Sequence, residues 1–192
     1  MTGATFETRL IPAELGNRLR RLYGLPRAPG TLGELVTLCH AAPRPESLYS
    51  TAGSRHRVRI GETERQTHCV LDALMLPFLT GSQVDTESMS PDGDRVQIRM
   101  SRGGIEVHPA AAVMSFGVGD AESGSVLEAL CPFVNAFPSQ EAYERWAAAT
   151  PGAATMALPL MEAIAFAEAL AGCGPESCCE ADEPFACKEG TV

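Results

Sequence analysis

Apolar residues recur with two different periods along the chain, and the change of period marks the predicted elements. In the stretches 11–24 and 31–42 they lie three or four positions apart, which is helical spacing. Thr31 follows the turn residues Pro29 and Gly30 and is the predicted N-cap of the second stretch. The amino terminus is therefore predicted to form two short helices joined by a turn.

Alternation with a period of two begins after the connector "APRPES". Four segments show this alternation and are predicted strands: "HRVRI", "DRVQIRM", "IEVH" and "AVMSFGV". The sequences "PDGD" and "RGG" between them are typical of turns. Helical patterns then predict four more helices, over 68–76, 124–131, 139–149 and 159–171. We therefore expect an α+β fold, in which a short helical subdomain precedes a small, mostly antiparallel sheet packed with helices.

Three regions follow from these patterns. Residues 1–50 are the helical, helix-turn-helix-like subdomain, and residues 51–171 carry the sheet and the remaining helices. Residues 172–192 are acidic, rich in small residues and without periodicity, so they are predicted to form a mobile tail.

Composition and charge narrow the possible partners. The 192 residues are 45% hydrophobic with a net charge of -9, which suits a globular protein and disfavours a broad nucleic-acid surface. Four arginines in and just after the first helical stretch leave a DNA-reading helix as an alternative; they are Arg18, Arg20, Arg21 and Arg27. The favoured interpretation is a helix face exposed to solvent. Without a signal peptide or a membrane-length apolar run, we expect a cytoplasmic monomer with no membrane partner.

Seven cysteines are many for such a compartment, and their distribution is uneven. Cys39, Cys69 and Cys131 are scattered through the body, whereas four crowd the last twenty residues; these are Cys173, Cys178, Cys179 and Cys187. The four lack the paired spacing of a structural zinc site. They are therefore either incidental or able to receive a soft metal by thiolate exchange.

The apolar stretch "THCVLDALMLPFLTG" holds two groups that suggest chemistry. On a helix, Cys69 and Asp72 would share a face, whereas His68 would diverge from them. A carboxylate beside a thiol can accept its proton, and an apolar setting would raise the carboxyl pKa so that the proton is kept. The alternative is a small core cysteine beside an aspartate that caps or bonds locally.

A second stretch, "EALCPFVNAFPS", places Cys131 before Pro132 at a predicted helix end. Two thiolates and one carboxylate would suit a soft, thiophilic metal, but only the fold can bring Cys131 to Cys69. Three histidines, His40, His56 and His108, lie in polar or strand-end settings and are interpreted as surface residues.

The chain resembles the alkylmercury (organomercurial) lyase family over about residues 31–171. The resemblance lies in the two cysteine motifs and in two further segments, which come in the order found in that family: "VQIRMSRGGIEVHPAAAVMSFGV" and "ALPLMEAIAFAEAL". The resemblance implies protonolysis of a carbon–mercury bond to a hydrocarbon and Hg(II). It implies that Cys69 binds the mercury first, Cys131 adds a second sulfur, and Asp72 moves a thiol proton to carbon.

The resemblance also implies the partners. They are a small organomercurial substrate, low-molecular-weight thiols as co-reactants and a mercuric reductase, in mercury detoxification and resistance. No cofactor is required, because the bound Hg(II) comes from the substrate. The chain departs from the family in a shorter amino-terminal helical region, in His68 where relatives often have an aromatic residue, and in "VDTESMSPDG", interpreted as a loop without the cysteine some members have.

Two other functions stay open at this level. A protein that binds mercury through Cys69 and Cys131 without catalysis would not need Asp72 as a proton store. A metal-responsive regulator that uses the amino-terminal helices on DNA is disfavoured by the acidic charge.

Overall fold

The structure is a computed structural model, and it describes residues 6–39, 42–120 and 125–173. Six α-helices lie in these ranges: α1 Ala13–Tyr23, α2 Leu32–Leu38, α3 Val70–Thr80, α4 Val126–Ala129, α5 Gln140–Ala148 and α6 Leu160–Ala171. The same ranges hold eight strands: β1 His56–Ile60, β2 Thr63–Thr67, β3 Val84–Met89, β4 Arg95–Ser101, β5 Gly104–His108, β6 Val113–Gly119, β7 Ala136–Phe137 and β8 Ala153–Pro159. Within the described ranges, none of the helices has the length and apolarity that a bilayer crossing requires.

The two amino-terminal helices form where their spacing predicts them. Helix α1 ends at Gly24, whose φ of 63° gives the left-handed conformation that favours glycine. Helix α2 begins after Thr31, whose hydroxyl accepts a hydrogen bond from the Glu34 N–H at 3.1 Å. The predicted N-cap is therefore confirmed.

The larger sheet has five antiparallel strands in the order β2-β1-β3-β4-β5. Strands β1, β4 and β5 were predicted from their alternation. Strand β3 corrects the interpretation of "VDTESMSPDG" as a loop, because Val84–Met89 alternates between buried and half-buried positions. The strand was missed because its acidic side chains are unusual in strands. Here Asp85 forms ion pairs across neighbouring strands, with Arg59 at 3.0 Å and with Arg99 at 2.8 Å.

A second sheet lies in the order β7-β6-β8, also antiparallel. Strand β6 is buried at every position, as a central strand covered on both faces requires. Strand β8 was not predicted, since its sequence "AATMALP" is rich in alanine and ends in proline. The predicted small, mostly antiparallel sheet is thus two antiparallel sheets, and the α+β class is confirmed.

Helix α3 occupies the centre of the molecule. Its residues Val70–Leu76 are all buried, so its apolar character on every side is that of a core helix. The predicted span of 68–76 was wrong at both ends, because Cys69 is the N-cap and the helix continues through Pro77 to Thr80. Helix α6 packs along α3 and extends over Leu160–Ala171, close to its predicted range.

The amino-terminal helices share one apolar core with α3 and α6, to which they contribute Leu15, Leu19, Leu32 and Leu35. Polar contacts reinforce this packing. Arg9 donates to both carboxylate oxygens of Glu162 on α6, at 2.6 to 2.9 Å. Arg18, one of the four arginines considered for DNA, donates to the carbonyls of Val118 and Gly152 instead.

Gly117 on β6 offers a test of how tightly the second sheet is packed. A Cβ at this position would lie 2.5 Å from Thr155 Cγ2 and 3.0 Å from the Ala154 carbonyl oxygen. We expect Gly117→Ala to lower the free energy of unfolding by about 1 to 3 kcal/mol, measured by urea denaturation.

The matched control is Gly152→Ala, where an added Cβ meets nothing within 4 Å. Its stability should stay the same or rise by less than about 1 kcal/mol. A Gly117→Ala protein as stable as the parent would contradict the packing described for β6 and β8.

Candidate active site

Three side chains converge at the amino-terminal end of α3. The ligand atoms of Cys69, Asp72 and Cys131 all lie within 4.8 Å of one another. Their exposed fractions are 1% for Cys69, 9% for Asp72 and 8% for Cys131. The structure therefore brings together the three residues that the sequence singled out, in surroundings that largely exclude water.

Cys69 and Asp72 are held together by helix capping. Cys69 is the N-cap of α3 and Asp72 is its third residue, and each accepts a hydrogen bond from the backbone of the other. The Cys69 N–H donates to an Asp72 carboxylate oxygen at 3.1 Å. The thiol and the carboxyl thus face each other because together they satisfy the N–H groups at the helix start.

The Cys131 segment is fixed by its own polar contacts. Cys131–Phe133 forms a 3-10 helix. The Ser115 hydroxyl on β6 donates to the Phe133 carbonyl at 2.8 Å and accepts from the Asn135 N–H at 2.9 Å. The Asn135 side-chain amide donates to the Pro132 carbonyl at 2.8 Å. Buried Ser115 and Asn135 therefore hold the backbone that follows Cys131, and sequence reasoning did not identify either.

One backbone hydrogen bond joins the two halves of the site. The Val70 N–H, in the first turn of α3, donates to the Val134 carbonyl at 3.3 Å. The Val134 N–H in turn donates to the Cys131 carbonyl at 3.3 Å. The helix start that carries Cys69 and the turn that carries Cys131 are therefore docked through main-chain atoms.

Burial determines the protonation of this group. It raises the pKa of the Cys69 thiol well above its ordinary value, and the Cys131 hydrogen bond and the Asp72 charge act in the same direction. Burial also raises the pKa of Asp72 to about 6, although hydrogen bonds from Cys69 oppose the increase. At neutral pH the resting site therefore combines a neutral Cys69 thiol with a largely ionised Asp72 carboxylate, whose raised pKa makes it a better proton acceptor than an exposed carboxylate.

One further neighbour of the site, Tyr23, was not anticipated from the sequence. Burial of its phenol group, then the charges of Cys39, Cys69, Cys131 and Asp72, raise the pKa of Tyr23. This last residue of α1 therefore borders the site, although 40% of its surface is exposed. Tertiary packing alone places it there, so no local sequence signal could have found it.

His68, next to Cys69, was predicted to diverge from Cys69 and Asp72. Its charge is the smallest of the effects on the Asp72 pKa, which it lowers. The prediction assumed helical geometry from residue 68 onward, whereas the backbone at Cys69 is extended, with φ of -145° and ψ of 174°.

The other candidate residues lie apart from this group. His56 is buried, 2% exposed, and its Nδ1 lies 2.7 Å from the Ser88 hydroxyl, so its interpretation as a surface residue was wrong. His108 is exposed as expected, and His40 lies outside the described residues. Cys173 is buried beside α2 and α6, while the remaining tail cysteines, Cys178, Cys179 and Cys187, also lie outside them.

The arrangement offers two sulfur atoms and a carboxylate oxygen to one ion. Thiolates are soft ligands that select thiophilic metals, and a third group that holds a proton suits acid–base work more than a closed structural site. The group therefore can bind a soft metal centre and deliver a proton beside it.

Comparisons with known proteins agree with this chemistry. A family model described as alkylmercury lyase matches residues 49–172, well over half of the chain. The crystal structure of the mercury-bound form of MerB2 is similar in fold, with a TM-score of 0.54 and 15% identity over 72% of this chain and 71% of that chain. No curated protein matches the sequence at a significant level. On the strength of the family match, the chain belongs to the alkylmercury lyase family.

Proposed function

We propose that the protein is an organomercurial lyase that cleaves the carbon–mercury bond of R–Hg⁺ to give a hydrocarbon and Hg(II). The observation that carries the proposal is the group of two thiols and one buried carboxyl within 4.8 Å. Family membership supports the same conclusion. A site that only held mercury would be complete with the two thiols, so the third member indicates proton transfer.

The first step is exchange at mercury. Cys69 replaces the thiolate with which R–Hg⁺ arrives, and its thiol proton leaves on that thiolate. Because a bound soft metal strongly lowers the pKa of a coordinating thiol, the high pKa of the resting thiol does not prevent this exchange. The product of the step is R–Hg bound to the sulfur of Cys69.

The second step adds Cys131. Its sulfur bonds to the same mercury and its proton moves to Asp72, whose pKa of about 6 leaves it largely ionised at neutral pH. Two sulfur donors raise the electron density on mercury and weaken its bond to carbon. The carbon then takes the proton from Asp72 together with the electron pair of the carbon–mercury bond.

The balance is one hydrocarbon and one Hg(II) held by two thiolates, with Asp72 ionised again. Water-excluding neighbours of α3 keep the proton on Asp72 until carbon accepts it. Low-molecular-weight thiols would then remove Hg(II) by exchange and pass it to an acceptor such as a mercuric reductase. This activity would act in mercury detoxification in the cytoplasm and would use no resident cofactor.

Asp72→Asn tests the proton step without removing the cap, because the amide oxygen can still accept from the Cys69 N–H. We expect hydrocarbon release from methyl- or phenylmercury with excess thiol, measured by gas chromatography, to fall about 100-fold or more. Mercury binding should remain. The matched control is Asp92→Asn, in an exposed turn, which should release hydrocarbon at the parent rate.

Two results would contradict the proposal. Hydrocarbon release from the parent protein at the rate of the thiol blank, with mercury still bound, would indicate a binding protein without catalysis. Parent-like rates in Asp72→Asn would remove Asp72 from the mechanism.

The Asp72 carboxyl should also leave a signature in stability. Its pKa rises on folding from 3.8 to about 6, so the folded state binds more protons than the unfolded state between these values. The free energy of unfolding of the parent should therefore fall, relative to Asp72→Asn, as pH rises from about 4 to about 6, by up to about 3 kcal/mol. Urea denaturation of both proteins across this range measures the difference. A difference that stays constant with pH would mean that the Asp72 pKa is not raised.

A further inference from the structure

A buried hydroxyl group lies at the end of strand β2, directly before the active site. It belongs to Thr67, the last residue of the strand, whose side chain is fully buried. The hydroxyl donates to the Cys69 carbonyl at 2.9 Å. The same carbonyl accepts a longer hydrogen bond from the Ala73 N–H, at 3.4 Å. The Thr67 hydroxyl is therefore the shorter of two bonds that hold the carbonyl of Cys69.

The peptide group between Cys69 and Val70 is hydrogen-bonded at both of its polar atoms. Its carbonyl accepts from Thr67, and its N–H donates to the Val134 carbonyl at 3.3 Å. The Val134 N–H donates in turn to the Cys131 carbonyl at 3.3 Å. A series of hydrogen bonds thus runs from Thr67, past the first thiol-bearing residue, to the turn that carries the second.

These bonds restrict the backbone of Cys69 on both sides of its Cα atom. On one side its N–H donates to the Asp72 carboxylate at 3.1 Å. On the other side, a rotation about ψ of Cys69 would break the bond from Thr67 or the bond to Val134. The direction of the Cys69 side chain follows from these backbone angles, so the Thr67 hydroxyl helps to set where the sulfur points.

Thr67 is itself held in place by its neighbours. It pairs with His56 of β1 on one side and forms a β-bridge with Tyr49 on the other. The N–H of the next residue, His68, donates to the Leu48 carbonyl at 3.1 Å. A β-branched side chain on a fixed backbone has few rotamers. The hydroxyl is therefore a donor with a defined position.

We propose that Thr67 is a positioning residue of the active site, whose hydroxyl aligns the Cys69 sulfur with that of Cys131 so that both bond one mercury ion. One ion can bond two sulfurs only when they lie no further apart than the sum of two metal–sulfur bonds. The ligand atoms of the site lie within 4.8 Å of one another, so a small rotation at Cys69 would remove the second bond. The consequence for cleavage rests on the proposed function, whereas the consequence for Hg(II) binding does not.

The test is a double-mutant cycle on Hg(II) affinity, in the full chain with every cysteine except Cys69 and Cys131 replaced by serine. Mercuric chloride is the probe, and its affinity is measured by competition with a small thiol of known affinity. We expect Thr67→Val, which removes the hydroxyl and keeps the shape, to weaken binding about 10-fold. After Cys131→Ser is added, the same change should alter binding by less than about 2-fold, because a single sulfur needs no alignment.

Two control variants separate the hydroxyl from the fold. Thr67→Ser keeps the hydroxyl and should bind Hg(II) within about 2-fold of the parent. Thr86→Val makes the same change at another buried threonine of the same sheet, on β3, and should bind like the parent. Circular dichroism checks folding, and Thr67→Ala replaces Thr67→Val in every measurement if the valine protein does not fold.

The hydrocarbon assay supplies a second measurement in the protein with its natural cysteines. In the proposed mechanism Cys69 captures R–Hg⁺ before Cys131 bonds to mercury. Thr67→Val should therefore lower kcat about 10-fold and change KM by less than about 2-fold, and Thr67→Ser should restore kcat.

Three results would overturn the role of Thr67. They are parent-like Hg(II) affinity in Thr67→Val, an equal loss of affinity with and without Cys131, and a loss that Thr67→Ser does not restore. An equal loss in both backgrounds would mean that the hydroxyl serves the fold alone. If the parent releases no hydrocarbon above the thiol blank but the affinity cycle shows the expected coupling, the proposed function is rejected and the positioning role stands.

Discussion

The start of helix α3 is the constraint on which the site depends. Every helix leaves N–H groups without partners at its amino terminus, and here Cys69 and Asp72 supply two of the acceptors. The Val70 N–H bonds instead to Val134, which brings the Cys131 turn against the same helix start. Two of the three residues of the proposed site, Cys69 and Asp72, thus also complete the hydrogen bonding of the helix.

The burial that suits this site to its proposed chemistry also lowers the stability of the folded protein. A buried carboxyl with a pKa near 6 costs free energy in its charged form, and a buried thiol resists ionisation. The surrounding apolar residues of α3 impose both costs, and the same residues keep water from the reacting atoms. Mercury reverses the balance, since a bound soft cation stabilises the thiolate that burial disfavours.

Much of the fold was predictable because it depends on local pattern. The amino-terminal helices, four of the strands and α6 follow from apolar spacing and from residues such as Thr31. Strands β2, β3, β7 and β8 were not predicted. The segments "TERQT" and "VDTESM" use polar side chains that pair across strands, β7 has only 2 residues, and "AATMALP" lacks strong strand formers. The helix-turn-helix-like subdomain boundary at residue 50 stays a prediction.

The site was only partly predictable, for a different reason. Three-residue spacing correctly suggested that Cys69 and Asp72 face each other, but through a shared helix face instead of a cap. Cys131 lies 62 residues further on, so its pairing came from the family resemblance. Tyr23 lies near the site through tertiary packing, which no local pattern records.

The central claim is that Cys69 and Cys131 hold one mercury atom together. X-ray absorption at a mercury edge tests it most directly, on the chain with Cys39, Cys173 and the tail cysteines replaced by serine and one equivalent of Hg(II) bound. The account predicts two sulfur neighbours, and one after Cys131→Ser is added. A single sulfur neighbour before that change, or two after it, would contradict the account.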